Sequence, residues 1–376
     1  MKPAAAAAAA ADLAALLGAF DRQVRWCNGR APFTARVLAR SRAWLATDSA
    51  AAAAFCAAAA DPLAAATPLR WAGALHHLAL RGLQPWAGLW PPGHASAEPD
   101  DAGLDLAITS AWRQQRMHCD AALARAPQTN EVARSAALLP GLLWVAAANG
   151  LPLVLLEMGA SAGLNLWCER YHHDHGAWRW AGDPAAELLL RSEWLGPAPE
   201  LAPLAVQRRA ACDAHPVDLR RPDEALRLAS FIWPDQPERL ERLLAAQRDT
   251  TRWMATDGVT VQAVPAARFV RDELSRLARG ATTVLMHSVV WQYIATDQQL
   301  AIGAAVQAAA AQAGPDTALA WLRLEPPAPD RGAELSCRLW DGSPGSGAEQ
   351  RLALCHPHGA RIEWLGTPAS SVPRGG

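Results

Sequence analysis

The sequence predicts an α/β fold: a mostly parallel sheet that ends in an antiparallel hairpin and follows an all-helical N-terminal region. Three observations carry this reading. Residues 1–148 are rich in Ala, Leu and Arg at helical spacing and poor in β-branched types. Beyond residue 150, short apolar runs of strand length alternate with helical patterns, as right-handed β-α-β crossovers require. The last two strand patterns, 334–340 and 352–365, have no helix between them, only the glycine-rich stretch 342–347, which reads as a hairpin loop.

In the first part, helices are expected at 33–44, 69–80 and 130–148, with breaks at Asp61-Pro62, Pro85 and Pro91-Pro92-Gly93 and a loop over 93–103. The first strand, 151–157 (LPLVLLE), is an apolar run bounded by Gly150 and Gly159, as in a strand buried on both faces. Further strands are expected at 204–212, 259–264, 282–287 and 318–324, with helices at 223–230, 238–249, 266–278 and 298–313. The chain therefore divides into a helical region at 1–148, serving as a lid or substrate pocket, a sheet domain at 149–368, and a disordered tail at 369–376.

Composition removes whole classes of chemistry. The 376 residues carry 35 Lys+Arg against 36 Asp+Glu, a net charge of -1, and Lys2 is the only lysine. A phosphate-binding P-loop, a pyridoxal Schiff base and a protein-kinase site each need a lysine that this chain lacks in a usable place. Near-neutral charge gives no drive toward nucleic acid or an acidic membrane. The 7 Cys are scattered with no Cys-x-x-Cys pair, as suits reduced thiols and a cytoplasmic location. The alanine-rich start is interrupted by Asp12 and lacks a cleavage site, so no signal peptide is expected. No membrane span is expected either.

The most informative segment is 154–167, VLLEMGASAGLNLW. A strand ends in Glu157, and Gly159, Ser161 and Gly163 lead toward a helix, where small residues allow a sharp turn and close approach to a ligand. Three readings compete. An acid followed by Gly-x-Gly-x-Gly, here with Ser161 in the middle, is the cofactor loop of class I S-adenosylmethionine-dependent methyltransferases, and a sheet ending in an antiparallel hairpin is their architecture. On that reading Glu157, Gly159, Ala160, Ser161, Gly163 and Asn165 bind the cofactor. A dinucleotide fingerprint needs a third glycine where Leu164 stands. A hydrolase elbow, Gly-x-Ser-x-Gly, would make Ser161 a nucleophile, but that motif follows earlier strands, and here the preceding region is helical.

Other residues have two readings each. Asp213, ending the strand at 204–212, would accept ribose hydroxyls or cap its own turn. Gln128, Thr129, Asn130 and Glu131 either cap the next helix or close over the glycine loop. Trp233, in a Trp-Pro-Asp turn, and Trp291 are candidate lining of a substrate pocket. His287 ends a strand, where α/β sheets put chemistry, and is a candidate general base or a hydrogen-bonded core histidine. The run 171–175 (YHHDH) resembles a metal cluster, with His172 and His175 on one helix face, yet a solvated helix end accounts for it and no metal is expected.

The blocks QTNEV at 128–132, LLEMGASAGLNL at 155–166, CDAHPVDL at 212–219, IWPDQ at 232–236 and MHSVVWQY at 286–293 together resemble the bacterial family catalogued as domain of unknown function 2332. The resemblance spans nearly the whole chain. It implies a Rossmann-like, class I methyltransferase-type domain and the cofactor class that goes with it, S-adenosylmethionine, but no reaction; a small-molecule acceptor is expected. Gln262-Ala263 depart from the pattern, since an acid usually follows the third strand to hold the adenine amino group.

Overall fold

The computed structural model describes residues 3–91, 99–328 and 331–366, with side chains from residue 9 onward. It separates into two compact units, Met1–Thr129 with Arg221–Glu241, and Asn130–Arg220 with Arg242–Gly376. The boundary thus falls before the 130–148 pattern, and a second excursion at 221–241 joins the helical unit. The predicted tail at 369–376 lies outside the described residues, as does most of the predicted loop at 93–103. Asp101–Gly103 open a helix capped by the Asp100 side chain.

The first unit holds α1 (Pro3–Cys27), α2 (Pro32–Thr47), α3 (Ser49–Ala58), α4 (Thr67–Leu80), α5 (Trp86–Leu89), α6 (Asp101–Gln114) and α7 (Arg116–Ala124). The helix α8 (Ser135–Asn149) belongs to the second unit, and α9 (Pro222–Ser230) returns to the first. Its core is aromatic. Trp71 is fully buried, stacks on Trp44 at 5.8 Å, meets Phe55 edge-on at 5.2 Å, and donates from its indole to Ser41 Oγ at 2.9 Å. Asp235 accepts from Phe33 N at 2.6 Å, Thr34 N at 3.0 Å and Thr34 Oγ1 at 2.6 Å, which caps α2 from 200 residues away in sequence. Trp233 packs partly buried against the same core. Gly73 is required by close approach, since a Cβ there would stand 2.8 Å from the Phe231 ring.

The second unit is built on a nine-stranded sheet. Its strands are β1 (Leu153–Met158), then β5 (Glu193–Leu195), β6 (Val206–Asp213), β7 (Val261–Ala263), β8 (Ala281–Ser288), β9 (Thr317–Glu325), β10 (Ala333–Trp340), β11 (Glu349–Cys355) and β12 (Arg361–Trp364). The intervening β2 (His172–Asp174), β3 (Arg179–Trp180) and β4 (Leu189–Leu190) form a small separate sheet. The large sheet runs β5-β12-β11-β10-β9-β8-β1-β6-β7. From β9 to β7 every pair is parallel, whereas β9, β10, β11 and β12 pair antiparallel. The expected α/β sheet is present, mostly parallel, but the terminal hairpin is a longer meander. Its cause is a turn at residues 356–360, where Gly359 takes φ +67 and splits the predicted strand 352–365 in two.

All six residues of β1 are buried, as both faces of the sheet are covered. On one face α8 lies across β9, β10 and β11, close enough that a Cβ on Gly141 would meet Leu322 at 2.8 Å. On the other, α11 (Ala266–Leu274) and α12 (Thr296–Ala310) cover Val154, Leu156, Leu285 and Leu319, and α10 (Pro237–Asp257) precedes β7. Among the described residues one helical stretch, Val132–Asn149, is long and apolar enough to cross a membrane, and 78% of it is buried inside this fold.

Two local expectations are corrected. The glycine loop leads not into a helix but into one turn, Leu164–Trp167. Tyr171 Oη donates to Leu164 O at 2.8 Å, and so takes the carbonyl that a continuing α-helix would offer to Cys168 N. The YHHDH run is strand β2, not a helix end, so His172 and His175 share no helix face.

The insertion carrying β2 to β4 is clamped by α10. Asp249 is fully buried, and its carboxylate accepts from Glu187 N and Leu188 N at 3.0 Å and from Arg252 at 2.9 Å. Removing it leaves those donors unsatisfied. Asp249→Ala is expected to cost about 3 kcal/mol in chemical denaturation, whereas Glu187→Ala, which removes only an exposed, solvent-screened pair with Arg248, should leave the midpoint nearly unchanged.

Candidate functional site

The strand order locates the place to look. Successive parallel strands are added in one direction from β1 to β6 to β7 and in the other from β8 to β9. In open α/β sheets ligands bind outside the carboxyl ends of the strands at this reversal, here between the ends of β1 and β8.

At the end of β1, Glu157 is 2% exposed, and its Oε2 has no hydrogen-bond partner. Burial pushes its pKa up to about 8, the nearby Asp213 carboxylate adds to the rise, and Arg134 opposes it. The loop beyond winds through left-handed conformations at Gly159 (φ +66), Ser161 (φ +55) and Gly163 (φ +75). Ser161 accepts strain of about 1–3 kcal/mol that glycine would avoid. Every amide of the loop has an acceptor within the chain. Gly159 N reaches the Cys212 thiol, Ala160 N the Cys212 carbonyl at 3.0 Å, and Ser161 N the Asp213 carboxylate at 2.9 Å. Ala162 N and Leu164 N share Asn130 Oδ1 at 3.3 and 3.1 Å, and Gly163 N reaches Ala160 O at 2.7 Å.

At the end of β8, His287 is 1% exposed. Its Nδ1 lies 2.6 Å from Glu325 Oε1, which also accepts from Val290 N at 3.0 Å and Trp291 N at 3.3 Å. Nδ1 therefore carries the proton, and Nε2, buried and unpartnered, is the ring's open acceptor. Trp291 stacks on the imidazole with centroids 5.5 Å apart. Between them Val289 has φ +51, an outlier for a β-branched residue. The grip of Glu325 on Val290 N sets the Val290 side chain over Gly159, where an added Cβ would meet it at 2.3 Å. The glycine is needed for this contact within the chain.

The sheet brings some of the candidate residues together and separates others. Glu157, Gly159, Ala160, Ser161, Gly163, Asn165 and Asp213 surround one loop. Asn130 and Glu131 adjoin it in built-in roles: Asn130 supports the loop, and Glu131 caps the following turn by accepting from Ala133 N at 3.3 Å. Asn165 is buried between Ser135 Oγ, which donates to it at 2.8 Å, and the Glu131 carbonyl. His287 is on the other side of the sheet. Glu157 pairs in register with Met286, and strand residues alternate in direction, so His287 points with Leu285 and Trp291 toward the α11/α12 face. Gln128, Thr129 and Trp233 belong to the helical unit, where Gln128 accepts from Arg227 at 3.3 Å. Ser161 Oγ has no hydrogen-bond partner, so no histidine is in place to activate it as a hydrolase nucleophile.

Sequence reading passed over Glu325, Val290 and Arg134. Glu325 had a signal, an acid at the carboxyl end of the strand beside β8. Arg134 donates to Ser288 O at 3.2 Å and to Pro357 O at 3.1 Å, which ties the end of β8 to the β11–β12 turn. The histidines of the YHHDH run form a chain of hydrogen bonds instead of a metal site. Ser192 N donates to His175 Nδ1 at 3.1 Å, His175 Nε2 faces His173 Nδ1 at 3.3 Å, and His173 Nε2 reaches Cys168 O at 2.8 Å. Among the described residues no group of three or more His, Cys, Asp or Glu is placed to hold a metal ion.

The family model for an uncharacterized protein conserved in bacteria (DUF2332) matches residues 18–364. The chain belongs to this family. No curated protein and no solved structure matches it. Three of the five sequence blocks that carried the resemblance to DUF2332 have identifiable duties in this structure. The QTNEV block supports the loop through Asn130, IWPDQ supplies the α2 cap, and MHSVVWQY places Val290.

Glu157 has a pH signature. Its folded pKa, about 8, stands above its ordinary 4.5. The folded state then keeps a proton that the unfolded state has lost, so the protonated carboxyl's contribution is complete below about 4.5 and is lost as pH rises through 8. The slope is at most about 1.4 kcal/mol per pH unit. Urea unfolding of Glu157→Gln should show the variant gaining on the native protein from pH 5 to pH 8. A stability difference independent of pH would contradict a buried, protonated Glu157.

Proposed function

We propose that this chain is an S-adenosylmethionine-dependent methyltransferase acting on a small molecule, with Glu157 receiving the cationic end of the cofactor. The observation that carries the reading is a buried carboxyl with an unpartnered oxygen at the reversal point of the sheet. An unsatisfied buried acid costs the fold about 1–3 kcal/mol. An arriving ammonium or sulfonium supplies the missing partner and favours the ionised carboxylate. The parallel strands support the same reading. In chain order β1, β6, β7, β8 and β9 lie 3-2-1-4-5, the order of doubly wound nucleotide-binding sheets.

The residues fit the charged end of the group best. Glu157 answers the cation, and the Ser161 hydroxyl, buried without a partner, is a free donor beside it. Asp213 is half-buried and engaged by Ser161 N and His215 N, which leaves lone pairs for ribose hydroxyls. At the adenine end Gln262 offers an amide oxygen in place of an acid. The loop amides, already satisfied, contribute no donors, and Val290 has to leave Gly159 for a ligand to reach the loop. When bound, the group supplies an electrophilic methyl on a sulfonium. The chain's part is positioning. His287, held by Glu325, faces the opposite side of the sheet from Glu157, so the reading assigns it no proton transfer at the methyl.

Calorimetry with S-adenosylmethionine and S-adenosylhomocysteine tests this. Saturable binding is expected, weakened about tenfold or more in Glu157→Gln and tightened in Val290→Ala. Because the cation selects ionised Glu157, binding below its pKa expels a proton, so affinity should rise with pH and level off above about 8. No saturable heat at millimolar ligand, or binding indifferent to Glu157→Gln, sinks the proposal and favours a non-catalytic binding protein on a degenerate nucleotide fold. A phosphonate probe that labels Ser161 would revive the hydrolase reading.

A further inference from the structure

A cavity of about 480 Å³ in the sheet unit is lined by none of the glycine-loop residues. Its walls come from the end of β2 (His175, Gly176), the approach to β5 (Arg191, Ser192), α10 (Arg242) and the β11–β12 turn (His358, Gly359). The charges here do not balance. Asp174, on the rim, is held by Arg179 at 3.1 Å and by Gly176 N at 3.2 Å. Glu193, also on the rim, faces Arg361 at 3.9 Å. Both acids are thus answered by arginines that do not line the cavity. The two arginines that do line it are not answered in kind: Arg242 Nε is buried with no hydrogen-bond partner, and Arg191 is exposed near Asp174, which Arg179 already engages.

A guanidinium nitrogen withdrawn from water without an acceptor is a cost that an oxyanion removes, and the planar fork of arginine matches carboxylate and phosphate oxygens two at a time. Part of the wall is held by contacts within the chain. His175 is fixed by Ser192 N and His173, and Gly359 lies so near the Ala133 carbonyl that an added Cβ would stand at 2.2 Å from it.

We infer that this cavity binds the anionic head of a small molecule, a carboxylate or phosphate, through Arg242 with Arg191 at its mouth. The inference does not rest on the methyltransferase reading and survives its failure. The test uses the full chain, titrated at low salt with inorganic phosphate and separately with succinate. Saturable binding of at least one is expected, falling about tenfold in Arg242→Gln, less in the exposed Arg191→Gln, and weakening as salt is raised. Arg268→Gln, which removes an exposed cation on α11 outside the cavity, should leave affinity within about twofold. Unchanged thermal melts for Arg191→Gln separate loss of binding from loss of fold. No saturable binding of either anion, or equal affinity in the native chain and both lining variants, overturns the assignment.

Discussion

Parallel pairing of β1 with β6 on one side and β8 on the other is the constraint from which the sheet unit follows. A strand covered on both edges and both faces has no solvated position, and all six residues of β1 are buried. The chain leaving it must therefore satisfy its polar groups from inside the protein. Asn130, Cys212 and Asp213, from two other stretches of chain, meet that need. The same enclosure denies Glu157 the water that would ionise it.

The two acids at this sheet edge differ in what they receive. Glu325 accepts three donors on one oxygen and so fixes His287, Val290 and Trp291 together. Its other oxygen, Oε2, is buried without a partner, as is Glu157 Oε2. Glu157, on a strand buried throughout like β8, has no comparable set of donors on either oxygen. Evolutionary history aside, a site that holds a neutral, unpaired carboxyl against the loss of stability is one where a ligand has something to offer.

Much of the architecture was legible because it rests on local periodicity. β8, β9, β10, α9 and α12 fall within a few residues of their expected bounds, since apolar runs of strand length and helical spacing are properties of the segment itself. What failed depended on contacts outside the segment itself. The turn after Gly163 stays a single turn because Tyr171 claims a carbonyl, and the YHHDH run is a strand because β3 and β4 pair with it. At the candidate site the acid-glycine loop was visible as a motif. That its amides are already engaged, and that Val290 covers Gly159, was not, because those partners lie between about 30 and 130 residues away. The duty of Asp235 as a cap on α2 is of the same kind.

The thiol beneath the loop is part of its support. Cys212 is fully buried, takes the Gly159 amide, and has its pKa pushed up to about 12 by burial, so at neutral pH it has almost no thiolate. Gly159 is thereby held twice, its amide by this sulfur and its Cα face by Val290, so alkylation at Cys212 would remove the first hydrogen bond of the loop.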